Sequence, residues 1–457
     1  MNNLLATAAG YASRYLETID ERSVAPSADA VRRLAELNES LPDGPTDPEA
    51  VLGLLDRVGS PATVATVGQR YFGFVIGGVL PVTLSANWLA GAWDQNAVFI
   101  ATSPVAAAVE KVALRWLLDV LALPRGCGGS FVTGATMANF TALAAARHAV
   151  LDQVGWDVEA RGLFGAPEIT VVIGAEAHAS LLKALSLLGF GRERVVTVPV
   201  DGQGRMRADA LLPLSGPTIV CIQAGNVNTG AFDPAQEICA AAHAAGAWVH
   251  VDGAFGLWAA AAPARAFLTQ GVADADSWAT DAHKWLNVPY DSGLAFVRDP
   301  EALRQSMAVS AAYLIEEDAR EPSHYTPELS RRARGIEIWA ALRTLGRSGL
   351  ADLVERTCRY AERFAQGLSA AGYAVLNDVV INQVLVSFGD DEFTRRVIAG
   401  VQSEGTCWCG GTVWQGHAAM RISVSSWATT EQDVERSLQA ILNVAENAKR
   451  MSTSTAP

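Results

Sequence analysis

Between about residues 169 and 298 short apolar segments alternate with helix-length ones, and this run constrains the chain more than any other feature. Ile169 to Ile173, Val195 to Val198, Thr218 to Gln223, Trp248 to Asp252, Ser277 to Thr280 and Gly293 to Arg298 are strand candidates, with helices at His178 to Leu188 and Pro234 to Ala245. Strands apolar on both faces need cover on both sides, so the pattern predicts an α/β fold with a mostly parallel sheet between helix layers. Upstream, Ser130-Phe131-Val132 adds a strand ahead of a helix through Ala138 to Val150. Ser103 and Pro104 open another long helix as cap and first-turn residue.

This reading places a large domain at residues 65–310, an N-terminal helical arm at 1–64, and linker helices with a small C-terminal α/β domain at 311–457. Residues 373 to 448 read as strand, strand, helix, loop, strand, helix. The polar stretch Glu316 to Pro322 reads as a mobile loop. Arg331, Arg332 and Arg334 read as a solvated face entering the helix Ile336 to Leu345, which is followed by a second helix from Leu350 to Leu368.

Charge and composition remove several function classes. With 35 basic and 48 acidic side chains, a net charge of −13 argues against a nucleic-acid partner. The uncharged stretches Gly73 to Trp93 and Gly126 to Ala146 are long enough to cross a bilayer, but Gly77-Gly78, Pro81, Gly128-Gly129 and Asn139 make them buried loops feeding helices. No membrane span is expected. Six cysteines are sparse for the length and no cleavable apolar leader follows Met1, which fits a reducing cytoplasm. Cys407-Trp408-Cys409 lacks a second ligand pair at metal spacing and reads as structural thiols, so no metal is expected.

The residues that carry chemistry gather at one place in this scheme. His178, Asn226, Asp252 and Lys284 each stand at or just past the carboxyl end of a predicted strand, the edge where parallel sheets bind ligands. Gly134-Ala135-Thr136 opens a helix whose free N–H groups make an anion site. Lys284 lies on a turn between His283 and Trp285, a setting suited to a lysine that must lose its proton to form a Schiff base.

A pyridine aldehyde phosphate asks for this set. Its phosphate needs amides and a hydroxyl, from Gly134, Ala135 and Thr136, with His283 as a further donor. Its ring nitrogen needs a carboxylate, for which Asp252 is placed beside the small Gly253 and Ala254. His178 is a flat partner for the ring face. Asp252 stands 32 residues before Lys284, with one helix-sized segment between.

The segments His250-Val251-Asp252-Gly253-Ala254-Phe255-Gly256 and Asp281-Ala282-His283-Lys284-Trp285-Leu286-Asn287 resemble signatures of the group II pyridoxal-phosphate-dependent amino acid decarboxylases. The resemblance runs from about Tyr71-Phe72-Gly73-Phe74, through Ser103-Pro104, Glu110 and Trp116, to Met420-Arg421-Ile422-Ser423. It implies the aspartate aminotransferase fold, fold type I, with a seven-stranded type of sheet. It also implies Lys284 at the cofactor aldehyde, Asp252 at the ring nitrogen, Ala135, Thr136 and His283 at the phosphate, Ala254 and His178 on opposite ring faces, and Asn226 near the ring hydroxyl.

The expected activity is decarboxylation of an L-amino acid, with Lys284, His178 and Asp252 as the catalytic group. The alternatives are other pyridoxal-phosphate chemistry on the same fold, namely oxidative deamination, carbon–carbon lysis or transamination, and a cofactor-binding protein without turnover. Gly77, Gly78, Asn96, Tyr325 and Arg421 are the candidates for contacting substrate. Two departures stand out: Asp281 occupies a position where the family carries an asparagine-type residue, and Pro322 falls at or near that of a proton-donating loop tyrosine. The resemblance further implies a homodimer, with the loop Ala312 to Arg334 completing the partner's site.

Overall fold

The computed structural model describes residues 2–309 and 320–454. The chain begins with the helix Asn2–Glu17, which packs on the helix Pro48–Leu54. A two-residue strand follows, β1 (Tyr71–Phe72), and then the helices Pro81–Trp93 and Pro104–Val120. Ser103 caps the second of these by accepting from the Ala106 N–H, and Pro104 occupies its first turn, as the sequence predicts.

Seven strands build the main sheet: β2 (Gly128–Val132), β3 (Thr170–Gly174), β4 (Val196–Val198), β5 (Thr218–Gln223), β6 (Trp248–Asp252), β7 (Ser277–Asp281) and β8 (Gly293–Val297). Their order is β2-β8-β7-β6-β5-β3-β4, and every neighbouring pair is parallel except the two made by β8. The expected mostly parallel, two-faced sheet is therefore present. One face carries the helix Ala135–Asp152, whose Ala138 and Ala142 meet Val132, Ala279 and Ala295 with no bulk between backbone layers. The opposite face is filled by Trp258, Trp278, Trp285 and Phe296, all fully buried, against Leu114 and Leu117 of the helix Pro104–Val120.

A second sheet is made by β1, β9 (Ala374–Val375), β10 (Gln383–Ser387), β11 (Trp408–Trp414) and β12 (His417–Ser423), in the order β1-β11-β12-β10-β9. The sequence reading gave one strand after the helix Asp391–Glu404 where the chain forms a hairpin of two. Gly410 and Gly411 both lie in β11, and the turn falls at Gln415 and Gly416, with φ of 49° and 89°. Left-handed conformation at both central residues matches the twist of the flanking strands in a two-residue hairpin. Cys407 and Cys409 lie in the core of this sheet, and all six cysteines are buried and free.

β1 pairs in parallel with Trp408 and Cys409, so the segment that follows it is drawn between the two sheets. The arginines after residue 330 do not form a solvated face. Arg331 and Glu110 make a two-pronged ion pair at 2.7 and 2.8 Å, with both side chains almost wholly buried. Arg334 donates to Asp291 at 2.7 Å and Arg332 pairs with Glu337. Residues 316–319 of the polar stretch lie outside the described residues. Glu321 is buried and accepts the Ile100 N–H at 2.9 Å. Beyond Arg334 the run Gly335–Ala370 is two helices broken at Gly346, where φ is 59°.

Candidate active site

The carboxyl ends of β5, β6 and β7 open on the same side of the sheet, and the turn that follows β7 holds Lys284. That turn is fixed from several directions. Ala282 and His283 both donate their backbone N–H to the Ser292 carbonyl, and the Trp258 indole donates to the Asp281 carbonyl at 3.0 Å. Trp285 is buried and donates to Thr357 Oγ1 at 2.9 Å. Asn287, with φ of 58°, donates to Trp285 O and Ser425 O and accepts from the Trp427 N–H at 2.8 Å. The lysine side chain is one-fifth exposed, and its Nζ lies 3.1 Å from Asp281 Oδ2.

Asp252 ends β6 and is buried. Its Oδ1 accepts from the Ala254 N–H at 3.2 Å and its Oδ2 from Asn139 Nδ2 at 3.2 Å. The adjoining glycine, Gly253, has no room for a side chain, since a Cβ there would stand 2.8 Å from that of Leu257.

The anion site lies opposite. The helix Ala135–Asp152 starts after Gly134 with no side-chain cap and no acidic residue in its first turn, which leaves the amides of Ala135 and Thr136 free of side-chain competition. Gly134 is hemmed in: a Cβ would come within 3.2 Å of His283 Cε1, and Gly293 presses on its other side. His283 accepts the Ser292 N–H at Nδ1, 3.1 Å away, so its neutral ring carries the proton on Nε2, 3.6 Å from Asp281 Oδ2. Burial lowers the His283 pKa, with Asp281 pulling the other way.

His178 caps the helix Ala179–Leu187: its Nδ1 accepts the Ser180 N–H at 3.2 Å. The proton of the neutral ring is therefore on Nε2. Burial lowers its pKa first, Asp252 and Asp281 raise it, and Lys284 and Arg421 lower it further. Four charges distant from one another in the sequence, Asp252, Asp281, Lys284 and Arg421, thus act on one imidazole. Asn226 accepts the Asn228 and Thr229 N–H groups at Oδ1, and its buried Nδ2 has no partner among the described residues. Arg421, on β12, donates from Nη1 to Val227 O at 3.2 Å, and its buried Nε has no partner among the described residues.

Gly77 packs directly on the lysine turn, while Gly78, with φ of 73°, faces Ser426 and the carbonyls of Thr66 and Val67. Asn96 is spent elsewhere: its amide donates to Ser330 Oγ at 3.2 Å and accepts the Arg331 N–H at 3.1 Å. Tyr325 belongs to the turn Pro322–Tyr325, against β2 and the helix Pro300–Met307, with the Arg320 guanidinium 4.2 Å above its ring. Neither residue touches the Asp252 and Lys284 cluster within this chain. Residues 312–319 of the expected trans-acting loop lie outside the described residues, while Arg320 and Ser323 bond their own chain at Gly129 O and Val98 O. Sequence reasoning missed Asn139, which braces Asp252, and Asn287, which clamps the lysine turn.

These groups fit a pyridine aldehyde phosphate. A lysine, a buried carboxylate on the neighbouring strand, an uncapped helix start with no Cβ at its mouth, and a polar atom at Asn226 unpartnered among the described residues answer its aldehyde, ring nitrogen, phosphate and ring hydroxyl. Among the described residues no group of three or more His, Cys, Asp or Glu side chains is arranged to hold a metal, and no helix is long and apolar enough to cross a membrane.

Comparison with known proteins agrees. The family described as "Pyridoxal-dependent decarboxylase conserved domain" matches residues 32–389. An L-2,4-diaminobutyrate decarboxylase of Rhizobium meliloti is 31% identical over 395 residues, covering 81% of this chain and 75% of the relative. An aromatic-L-amino-acid decarboxylase of Bacillus atrophaeus is 26% identical over 370 residues, covering 78% and 75%. The solved structure of Oryza sativa TDC with PLP and tryptamine superposes with a TM-score of 0.90 at 23% identity, over 98% of this chain and 97% of that one. This chain belongs to the group II pyridoxal-phosphate-dependent decarboxylases and is an enzyme of that family, with pyridoxal phosphate as its cofactor.

Proposed function

We propose that this enzyme removes the α-carboxylate of an L-amino acid, with the cofactor aldehyde bonded to Lys284 and the ring nitrogen facing Asp252. Gly134, Ala135, Thr136 and His283 surround the phosphate, Ala254 and His178 take opposite ring faces, and Asn226 stands near the ring hydroxyl. The observation that carries this reading is the pairing of Asp252 and Lys284 at the ends of adjacent parallel strands, with His178 in the field of both. When bound, pyridoxal phosphate supplies the electron sink for the pair left on the α-carbon as carbon dioxide departs.

The chain's own side chains do the rest. Asp281 holds the Lys284 ammonium at 3.1 Å until the amine is needed for bonding, and the displaced amine is then a proton carrier within reach of the α-carbon. His178, neutral with its proton on Nε2, offers a hydrogen bond over the ring face. Arg421 brings an unpartnered buried donor for the substrate carboxylate. Asp281 near the phosphate is tolerable because Lys284 and His283 flank it.

The working unit in this reading is a homodimer in a reducing cytoplasm. Trp88, Leu89 and Trp93 project from the helix Pro81–Trp93 at 45, 54 and 45% exposure, an apolar face that a second copy would cover. A fully active monomer in analytical ultracentrifugation would remove the dimer.

An amino acid panel assayed for carbon dioxide, with product mass, tests the reaction. Amine with carbon dioxide is expected; aldehyde or keto acid as sole product, or isotope exchange at the α-carbon without carbon dioxide, would overturn it. Borohydride reduction should fix the visible chromophore in the enzyme, and Lys284→Ala should lose it.

A further inference from the structure

Behind Asp252 the core contains four polar side chains with no access to solvent. Trp248 and His250 are on β6, Ser277 begins β7, and Asn139 lies one turn into the helix Ala135–Asp152. Ser277, His250 and Asn139 are wholly buried and Trp248 nearly so. Trp248 Nε1 lies 2.9 Å from Ser277 Oγ, Ser277 Oγ 2.9 Å from His250 Nδ1, His250 Nε2 2.9 Å from Asn139 Oδ1, and Asn139 Nδ2 3.2 Å from Asp252 Oδ2. Alternation along β6 makes this possible, because His250 and Asp252 are two residues apart and so face the same helix.

We propose that Trp248, Ser277, His250 and Asn139 form a one-way hydrogen-bond relay that ends on Asp252 Oδ2 and holds it as an acceptor, its direction set from one end by the Trp248 indole and from the other by the carboxylate. An indole N–H donates and never accepts. Ser277 Oγ must therefore accept from Trp248, and its hydroxyl proton turns to His250 Nδ1. With Nδ1 accepting, the neutral imidazole carries its proton on Nε2 and donates to Asn139 Oδ1. The amide can then present only its NH₂ end to Asp252. A flipped Asn139 would set an oxygen against the carboxylate and the His250 N–H against an amine, so each link forbids reversal of the next.

Every donor and acceptor used is buried, so a reversed link leaves an unpaired polar group in the core. His250 must remain neutral for the relay to hold, and its burial does this, pushing its pKa down to about 4 against the opposing pull of Asp252. The four residues are positioning residues: they act through Asp252. The proposal rests on the reading that Asp252 meets the cofactor ring, but the relay is a property of the chain itself and can be read without turnover.

The test is nitrogen NMR of histidine-labelled full-length enzyme, with and without cofactor, with His250 assigned by the signal missing in His250→Gln. At neutral pH, wild-type His250 should show an unprotonated Nδ1 and a protonated Nε2. Trp248→Phe alone leaves the Asp252 carboxylate to orient the Asn139 amide, so His250 should keep its proton on Nε2. Adding Asn139→Leu removes the second source of direction, so His250 of the double variant should become a mixture of tautomers, and Asn139→Leu alone should lower kcat of the holoenzyme about tenfold with KM unchanged. Wild-type His250 protonated at Nδ1, or a double variant whose His250 tautomer stays fixed, would overturn the relay. If the double variant does not fold, the wild-type His250 signal still decides. A chromophore titration unchanged by Asp252→Asn would instead overturn the placing of Asp252 at the ring, while the wild-type His250 signal would still report the relay.

Discussion

A Cβ on Gly77 would stand 1.8 Å from the carbonyl oxygen of Lys284 and 2.8 Å from Asn287 Nδ2. The glycine ahead of the helix Pro81–Trp93 is thus in direct backbone contact with the lysine turn, across more than two hundred residues of sequence. Backbone, unlike the end of a flexible side chain, cannot swing aside. Gly77→Ala is therefore expected to displace the turn: we expect at least a tenfold loss in cofactor affinity, followed by absorbance of the reconstituted protein. Overpacking should also cost ~1–3 kcal/mol of stability, read from urea unfolding.

Glu110 and Arg331 should prove the most sensitive pair away from the site. Both are buried, and they are bonded through both carboxylate oxygens, so removal of one charge strands the other. Glu110→Gln is expected to cost ~3–5 kcal/mol in the urea midpoint. Replacing both by apolar residues of similar volume should recover most of that loss, because the remaining desolvated charge is what hurts.

Much of the architecture was legible because it depends on local pattern. The strands Thr218–Gln223 and Trp248–Asp252 run over the same residues in sequence and structure, and a helix does open after Gly134. What was hidden depends on partners far away in sequence. Arg331 looked solvated because its carboxylate is 221 residues upstream, and Asn96 looked like a substrate contact because nothing local showed it bonded to residues 330 and 331. Asn139 carried a faint signal: it is an amide in the uncharged, alanine-rich first part of its helix, one turn after Ala135, on the side that faces Asp252.

His250 gives a pH dependence with a definite sign. Its ordinary value of 6.5 applies in the unfolded chain, whereas burial holds it near about 4 in the fold. Between those values the unfolded chain binds more protons, so stability rises with pH there. The contribution is fully present above pH 6.5 and is lost as pH falls through about 4, on the order of 3 kcal/mol in all. Urea midpoints measured from pH 7 down to pH 4 should fall in the wild type, and His250→Gln should flatten that part of the slope.

Arg421 is the sharpest test of where substrate binds. A guanidinium 8% exposed that donates to the Val227 carbonyl and whose Nε has no partner among the described residues is expensive to keep unless something anionic arrives. It also lowers the His178 pKa, so the two side chains lie in one another's field. A charge-assisted hydrogen bond contributes ~1.5–3 kcal/mol, so Arg421→Gln should raise KM roughly ten- to a hundredfold. Because Arg421 is not among the residues proposed to hold the cofactor, the absorbance of the loaded enzyme should stay as in the wild type. A lost chromophore with KM unchanged would mean that the arginine braces the fold and that another donor takes the carboxylate.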